Sequence, residues 1–309
     1  MKPARTLAAA LAEGSLVLDG GLSDQLRAQG CDLSGDLWSA RLLADGPHQI
    51  EAAHAAYVRA GAQVLITGSY QATYEGFARR GIDREQASRL LTDSVTLARR
   101  AGAEVAREIW VAASVGPYGA MLADGGEYRG RYGLSVRELE RFHRPRIETL
   151  AAAAPDVLAL ETVPDTDEAE AMLRAAKGCG VPVWLSYTIK GTRTRAGQPL
   201  MEAFALAASE PEVIATGVNC CTPPDADEAV PLAASTTAKP VVVYPNSGET
   251  WNATTKGWVG EGRGEGPLPA TRLRAWQAAG ARLLGGCCRV GPAQIAGVAA
   301  WLGAERDDR

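Results

Sequence analysis

The sequence predicts an α/β protein that folds as a single-domain (β/α)8 TIM barrel over residues 1–309. Three observations predict this class. Short apolar or β-branched runs recur eight times, and segments of helical length rich in Ala, Leu, Glu and Arg separate them. A length of 309 residues is also ordinary for such a barrel. Strands that alternate with helices need crossover connections, which produce a parallel sheet.

The predicted strands cover residues 16–21, 64–70, 110–116, 157–162, 182–188, 214–220, 240–246 and 281–287. The clearest predicted helices cover residues 47–60, 84–101, 135–153 and 165–176. Ser135 and Glu138 fit a capping box at the start of the third of these helices, whereas Pro145 is expected to kink or shorten it.

An open, doubly wound sheet is the alternative fold for such an alternation. That fold is expected to carry a glycine-rich phosphate turn after its first strand. Residues 19–23 lack the G-x-G-x-x-G spacing, and no G-x-x-x-x-G-K-[ST] motif occurs, so the barrel is preferred. Residues 117–133 and 247–267 follow the third and seventh strands and are long for turns. We expect them to act as lids or substrate-binding segments.

The charge balance indicates the class of ligand. The chain has 32 basic and 36 acidic residues and no run of basic residues. We therefore expect small-molecule substrates rather than nucleic acid. The apolar stretch at residues 7–12 is short for a signal peptide, and no stretch is long enough to cross a bilayer, so we expect a cytoplasmic protein without membrane association. The sequence leaves a homo-oligomer open.

Chemically reactive residues gather at the carboxyl ends of the predicted strands. These residues are Asp19, Glu161, Asn219, Cys220, Asn246, Cys287 and Cys288. In a barrel all eight of these ends share one face, and neighbouring glycines allow a close approach of the backbones. Three thiolates suit Zn²⁺ and leave its fourth position open, which favours a catalytic zinc site.

Two other interpretations of the cysteines remain open. A free cysteine is most often a buried small residue, and two cysteines can form a disulfide. Adjacent cysteines at two nearby strand ends favour the metal. Cys221 follows the sixth strand, and we expect it to pack or to lie at the surface rather than to bind metal.

The carboxylates predict a ligand with an amino group. Asp19 and Glu161 are expected to hang over the barrel mouth, where both can pair with a cation. Backbone amides from Gly20 to Ser23, at the start of a helix capped by Ser23 or Asp24, suit a carboxylate. Together they predict an α-amino-acid pocket. The alternative is that Asp19 is a turn residue and that Glu161 pairs with a neighbouring Arg.

These motifs resemble the homocysteine S-methyltransferase family of zinc-dependent methyltransferases. The resemblance lies in residues 19–21, 68–73, 114–119, 161–164, 217–220 and 285–288, and so spans most of the chain. Residues 122–125 and 244–249 resemble the branch that uses S-methylmethionine or S-adenosylmethionine. Relatives that use betaine tend to carry an aromatic residue after the glutamate, where this chain has Thr162.

The resemblance implies a homocysteine-binding barrel domain over residues 1–309 that acts in methionine biosynthesis. A sulfonium donor would transfer a methyl group to the thiol of L-homocysteine. The residues implied are Cys220, Cys287 and Cys288 for Zn²⁺, and Asp19, Gly20, Gly21, Glu161 and Asn219 for homocysteine. Zinc would make the substrate thiol nucleophilic by deprotonating it.

The donor cation needs a pocket of its own. Tyr118, Glu127, Tyr128 and Trp251 lie on the two long segments and are candidates for ring faces and one negative charge. No general acid is needed, because a thioether leaves without a proton. The histidines at 48, 54 and 143 lie in helical segments and are expected to be ordinary surface or core residues.

Three alternative functions stay open at this point. The chain could be the homocysteine-activating module of a corrinoid-dependent methionine synthase system, although no D-x-H-x-x-G signature occurs and a separate partner would be required. It could also be a noncatalytic zinc-dependent homocysteine-binding protein. Thiol redox chemistry at Cys287 and Cys288 is the third alternative.

Overall fold

Parallel strands that follow one another along the chain form the wall of a barrel. The computed structural model describes residues 2–34, 37–248, 250–252, 257–259 and 268–307. Its strands are β1 (Leu16–Val17), β2 (Val64–Ile66), β3 (Trp110–Val115), β4 (Val157–Val163), β5 (Val183–Tyr187), β6 (Ile189–Lys190), β7 (Arg193–Thr194), β8 (Val213–Asn219), β9 (Val241–Tyr244), β10 (Thr250–Asn252), β11 (Gly257–Val259) and β12 (Ala281–Leu284). Antiparallel pairing joins β6 to β7 and β10 to β11, outside the wall.

The eight wall strands run in the order β1-β12-β9-β8-β5-β4-β3-β2, and all their pairings are parallel. A bridge between Leu18 and Val64 joins β1 to β2 and closes the ring. The predicted (β/α)8 barrel is therefore confirmed. Its extent as one domain over residues 1–309 stays a prediction.

Helices cover the outside of the wall and one end of it. They are α1 (Leu7–Glu13), α2 (Leu22–Ala28), α3 (Leu42–Asp45), α4 (Pro47–Arg59), α5 (Tyr74–Ala78), α6 (Arg84–Gly102), α7 (Tyr118–Leu122), α8 (Val136–Ala152), α9 (Thr166–Ala176), α10 (Leu200–Ala208), α11 (Pro223–Thr237), α12 (Ala270–Ala278) and α13 (Pro292–Asp307). The capping box of Ser135 and Glu138 is present, and α8 continues through Pro145 to Ala152 rather than being shortened there. Among the described helices none combines the length and apolarity needed to cross a membrane.

The barrel interior is layered along its axis. Alternate residues of each strand point inward, and these side chains fill the barrel in successive layers. Near the amino ends these residues are apolar and include Trp110, Val157 and Trp184, which share one buried cluster with Leu7 and Leu11 of α1. Helix α1 therefore covers the amino end of the barrel.

The same inward positions become polar toward the carboxyl ends of the strands. Two residues beyond Ala112 lies Ser114, and two residues beyond Ala159 lies Glu161. The corresponding residues of β5, β8 and β9 are Ser186, Asn219 and Tyr244, all buried. A polar layer thus lies above an apolar one, and three of its residues, Ser114, Glu161 and Tyr244, line a cavity at this end of the barrel.

Several predicted strands are too long at their carboxyl ends. The first ladder ends at Val17 with one further bridge at Leu18, the second ends at Ile66, and the eighth ends at Leu284 rather than at residue 287. One further backbone bond to a wall strand follows each of these ends, for example from Gly285 N to Val243 O at 3.1 Å, and beyond it Cys287 N donates to the loop residue Pro245 at 2.8 Å. Asp19 and Cys287 therefore lie in loops above the barrel, whereas Glu161 and Asn219 lie within β4 and β8.

Candidate active site

Three cysteine side chains meet above the carboxyl ends of β8 and β12. The Cys220 Sγ lies 2.6 Å from the Cys287 Sγ and 3.8 Å from the Cys288 Sγ, and the latter two sulfurs are 3.9 Å apart. All three are free thiols. Cys220 is buried, whereas Cys287 and Cys288 are partly exposed. The predicted convergence of three sulfurs is confirmed.

The chemistry of this donor set fits a zinc ion. Four sulfurs at a Zn–S distance of about 2.3 Å in a tetrahedron are separated by about 3.8 Å. Two of the three sulfur separations, 3.8 and 3.9 Å, agree with that edge, and the third, at 2.6 Å, is shorter. Within the described residues, these cysteines are the one group of three that could hold a metal.

Backbone contacts between neighbouring loops hold the sulfurs in place. Cys220 adopts a left-handed conformation with φ 49°, and its N–H donates to Tyr244 O at 3.2 Å. The Cys288 N–H donates to Asn246 Oδ1 at 3.2 Å. A Cβ on Gly286 would lie 2.2 Å from the Val290 side chain, so only glycine permits this approach.

The cysteine next to Cys220 plays a different part. Cys221 is completely buried and packs in the apolar core outside the wall, away from the sulfur cluster. Burial raises the pKa of its thiol well above the usual value, which keeps it neutral. The packing role predicted for Cys221 is confirmed.

A cavity of about 130 Å³ opens beside the three sulfurs. Residues from several strand ends and loops line it, among them Gly20, Gly21, Ser114, Glu127, Tyr128, Glu161, Tyr244 and all three clustered cysteines. Carboxylates outnumber cationic side chains on this wall, and the basic residue Arg27 pairs with Asp24 at 3.2 Å. The cavity therefore favours positively charged ligands.

Glu161 supplies a buried carboxylate to the wall. Its Oε1 accepts a hydrogen bond from the Ser114 hydroxyl, and its Oε2 accepts one from the Tyr244 hydroxyl at 3.0 Å. Burial raises the pKa of the Glu161 carboxyl to about 7, although these two hydrogen bonds act in the opposite direction. No basic side chain pairs with Glu161 in the described part of the chain, so the alternative of an Arg partner is wrong.

Asp19 lies just behind the wall, next to the lining residues Gly20 and Ile66. Its Oδ2 accepts from the Ile66 N–H at 2.9 Å, and its Oδ1 is buried without a partner. Burial and the nearby Glu161 charge raise the pKa of Asp19 well above its usual value. Glu161 thus lines the cavity at the carboxyl end of the barrel, whereas Asp19 lies behind the wall, and both side chains are at least 95% buried.

The other residues predicted to bind substrate occupy different places. Gly20 and Gly21 line the cavity, but the Gly21 N–H already donates to Val290 O at 2.9 Å. Asn219 lies outside the cavity wall, because its side chain accepts from the Thr162 N–H at 2.8 Å and donates to the Thr162 hydroxyl at 2.7 Å. Asn219 therefore holds Thr162, which has a left-handed φ of 57°, rather than facing a ligand. Helix α2 begins after an N-cap at Gly21, so Ser23 and Asp24 lie in its first turn and do not cap it.

Only some of the residues predicted to bind the donor line the cavity. Glu127 and Tyr128 line the cavity, and the Tyr128 hydroxyl donates to the Cys220 Sγ at 3.6 Å. Tyr118 instead packs its ring against Tyr132, at a centroid separation of 5.2 Å, and does not line this cavity, so its contact with a donor stays a prediction. The side chain of Trp251 lies outside the described residues.

Comparison with known proteins decides the family. Residues 16–302 match the family model for homocysteine S-methyltransferase. The chain belongs to the homocysteine S-methyltransferase family. The Escherichia coli homocysteine S-methyltransferase is 45% identical over 92% of this chain and 94% of its own length. Homocysteine S-methyltransferase 4 from Zea mays is 44% identical over 96% of this chain and 92% of its own length.

Solved structures of this family share the fold. The metallated form of the homocysteine methyltransferase MmuM from Escherichia coli has a TM-score of 0.84 at 43% identity, over 94% of this chain and 98% of that chain. Its apo form has a TM-score of 0.76 at 37% identity, over 96% of this chain and 98% of that chain. The chain is therefore an enzyme of the homocysteine S-methyltransferase family with the family's barrel.

The sequence did not single out the two hydroxyl groups that hold Glu161. Ser114 and Tyr244 bond its two carboxylate oxygens from β3 and β9. Both occupy inward positions near strand ends. Inward positions deeper in the barrel are usually apolar. A polar residue at an inward position near the end of a barrel strand is the signal that identifies such partners.

Proposed function

We propose that this chain transfers a methyl group from a sulfonium donor, S-methylmethionine or S-adenosylmethionine, to the thiol of L-homocysteine, with methionine as the product. The observation that carries the proposal is the shared cavity: three cysteine sulfurs and the buried Glu161 carboxylate lie on one wall. Sulfur ligands for a soft metal thus stand beside an anion suited to an amino group.

Cys220, Cys287 and Cys288 would hold a zinc ion. When bound, zinc supplies Lewis acidity that lowers the pKa of a substrate thiol, so that it reacts as a thiolate at neutral pH. The protein supports this with the Tyr128 hydroxyl, which donates to the Cys220 sulfur and so steadies one ligand. A solved structure of the Escherichia coli relative is a metallated form, which supports a metal site here.

Asp19 and Glu161 would bind the amino group of homocysteine. The unpartnered Asp19 Oδ1 is a buried acceptor, and such an atom is costly unless a ligand donates to it. Glu161 is held by two hydroxyl donors that an ammonium group can supplement. Burial raises the pKa of both carboxyls, and an ammonium ion would return them to the charged form.

Glu127 and Tyr128 would bind the sulfonium donor. The Glu127 Oε2 is buried on the cavity wall without a partner, and burial raises the pKa of that carboxyl to about 7. A neighbouring cation would favour its charged form, and the Tyr128 ring offers a cation–π face. Both residues lie on the long segment after the third strand, one of the two segments predicted to bind the donor.

The reaction balances without a protein acid. The homocysteine sulfur forms a bond to the methyl carbon as the carbon–sulfur bond of the sulfonium breaks, and that electron pair stays on the departing thioether. The thiol proton leaves before transfer and goes to solvent. An anion and a cation become two neutral thioethers, so an enclosed cavity with few waters favours the transition state.

The test is turnover by the purified chain with L-homocysteine and each donor. We expect methionine from at least one sulfonium donor, without an added corrinoid protein. A homocysteine-binding protein without catalysis would show binding but no methionine, and a corrinoid-dependent module would need a methylated corrinoid. Either result would overturn the proposal. Activity that persists after complete zinc removal would favour thiol chemistry instead.

A further inference from the structure

A buried polar cluster joins helices α8 and α9 outside the barrel, away from the cavity. Glu168 and His143 are completely buried, and His143 Nε2 lies 2.9 Å from Glu168 Oε1. On the other side of the ring, His143 Nδ1 lies 2.7 Å from Nη2 of Arg146, which is 1% exposed. The proposed function uses none of these residues.

The hydrogen-bond directions within the cluster follow from Arg146. A guanidinium only donates, so His143 Nδ1 must accept, and the ring proton then lies on Nε2 and is donated to Glu168. Burial and the Arg146 charge lower the pKa of His143 well below its usual value, in agreement with a neutral ring. His143 thus fixes the Glu168 carboxylate in one orientation.

The cluster holds the start of the segment that carries Glu127 and Tyr128. We call residues 116–133 the donor loop. Arg146 Nη2 donates to Gly116 O, and the Tyr118 N–H donates to Glu168 Oε1 at 2.5 Å. Two backbone groups at the beginning of the donor loop are therefore bonded to side chains that are themselves locked.

A second carboxylate holds the other end of the donor loop. Asp165 Oδ2 accepts from the Arg131 N–H at 2.8 Å, and its Oδ1 accepts from the Glu168 N–H at 2.8 Å as the N-cap of α9. A Cβ on Gly130, which has φ 69°, would lie 2.5 Å from Asp165 Oδ2. Both ends of the donor loop therefore bond to acidic residues three positions apart.

We propose that Asp165 and Glu168 are positioning residues that hold the two ends of the donor loop and thereby place Glu127 and Tyr128 on the cavity wall. His143 acts through Glu168, whereas Arg146 orients His143 and also bonds directly to Gly116 O. The inference rests on the proposed function, because that function assigns the donor to Glu127 and Tyr128. The residues proposed to bind the amino group of homocysteine, Asp19 and Glu161, lie outside the donor loop.

The test compares loop variants with a matched carboxylate elsewhere. Asp165→Ser retains an N-cap oxygen but cannot reach Arg131 as well, and Glu168→Leu fills the space without an acceptor. Glu168→Gln retains an oxygen for Tyr118 and His143 and serves as the conservative variant. Asp156→Asn is the control, because Asp156 also accepts from a backbone N–H, that of Val111 at 2.7 Å, and pairs with an arginine.

Two measurements are made on each full-length variant. Hydrogen exchange of peptides from the donor loop should become about fivefold or more faster in Asp165→Ser and Glu168→Leu, as expected for loss of one anchoring hydrogen bond. The donor KM should rise about fivefold or more while the homocysteine KM stays within about twofold. Glu168→Gln should keep the loop exchange rate and the donor KM close to those of the unaltered enzyme. Asp156→Asn should change neither quantity. If Glu168→Leu does not fold, Asp165→Ser decides the test.

Unchanged loop exchange in Asp165→Ser would overturn the inference. So would an equal rise in both KM values, because that pattern indicates general damage. If the unaltered enzyme forms no methionine with either donor, the proposed function fails, and loop exchange alone then decides whether the two carboxylates anchor the donor loop.

Discussion

The two ends of β4 each carry a carboxylate, and their surroundings differ. Asp156 precedes the strand and accepts from Arg99 Nη1 at 2.5 Å and from the Val111 N–H at 2.7 Å. Glu161, near the other end, has only hydroxyl partners, and burial raises its pKa to about 7. The acid at the amino end is neutralised by the protein. The acid at the carboxyl end is held without a cation, which suits it to a ligand's positive charge.

The largest effect is expected at Glu161. Glu161→Gln should raise the homocysteine KM by about 10- to 100-fold, since a hydrogen bond to a charged partner contributes about 1.5–3 kcal/mol. The free energy of unfolding of Glu161→Gln should not fall, because this variant removes a buried charge that has no cationic partner among the described residues.

Asp156→Asn is the matched control at the other end of β4. It should lower the free energy of unfolding by about 1–3 kcal/mol and leave the homocysteine KM unchanged. Steady-state kinetics measures the KM, and urea unfolding measures the stability. Equal effects of Glu161→Gln and Asp156→Asn on each quantity would contradict the proposed difference between the two carboxylates.

The pH dependence sharpens the same comparison. Because the Glu161 pKa is about 7, against an ordinary 4.5, the folded state binds more protons than the unfolded state between these values. This group's contribution to stability therefore falls as pH rises through that window. An amino-acid ligand needs the charged carboxylate, so its affinity should fall by up to about tenfold per pH unit below 7.

L-Methionine is the probe for that measurement, since its thioether does not titrate. Calorimetry from pH 5.5 to 8 should show the loss of affinity at low pH in the unaltered enzyme and a flatter profile in Glu161→Gln. A flat profile in the unaltered enzyme would contradict the assignment of the amino group to Glu161.

A smaller effect is expected at the donor side. Glu127→Gln should raise the KM for a sulfonium donor by about five- to tenfold, because one charge contact is lost at the cavity wall. Asp124→Asn changes the same charge on the same loop, but Asp124 is half-exposed and pairs with Arg129 at 3.3 Å. It should leave both KM values within about twofold. Equal effects of the two variants on the donor KM would remove Glu127 from the donor site.

The smallest effect concerns backbone strain at the two ends of β4. Ala154 and Thr162 have left-handed φ values of 54° and 57°. Ala154→Gly should raise the free energy of unfolding by about 0.5–1 kcal/mol, because glycine adopts this conformation without steric cost. Thr162→Gly should give no such gain, since it loses the bond from Asn219 Nδ2 at 2.7 Å. Thermal or urea unfolding measures both, and equal stabilisation would show that the Asn219 contact contributes little.

The sequence predicted the barrel and its sulfur cluster because both depend on periodic or local patterns. Alternation of strands and helices specifies the wall, and cysteines at strand ends must share one face. Strand lengths were overestimated, because the predicted runs continue beyond the last ladder residue: β12 ends at Leu284, and Cys287 N already bonds to the loop residue Pro245. The distinction between Glu127, which lines the cavity, and Tyr118, which does not, depends on how one loop folds over the barrel.

The contacts that hold the site are the least visible in sequence. Asn219 lies in a strand-end motif, which predicts that it contacts the substrate. Its hydrogen bonds to Thr162 depend instead on a left-handed backbone conformation that no sequence pattern predicts. The His143 and Glu168 pair joins two helices across 25 residues, and each residue alone resembles an ordinary helical position. Such pairings arise from packing between elements, which periodicity does not specify.

Zinc content tests the central claim most directly. Elemental analysis of the purified enzyme should find about one zinc per chain, and Cys220→Ala, Cys287→Ala and Cys288→Ala should each lose it, whereas Cys221→Ala should retain it. Turnover should fall with the zinc. Full zinc in all three cluster variants, or a fully active enzyme without a transition metal, would contradict the account.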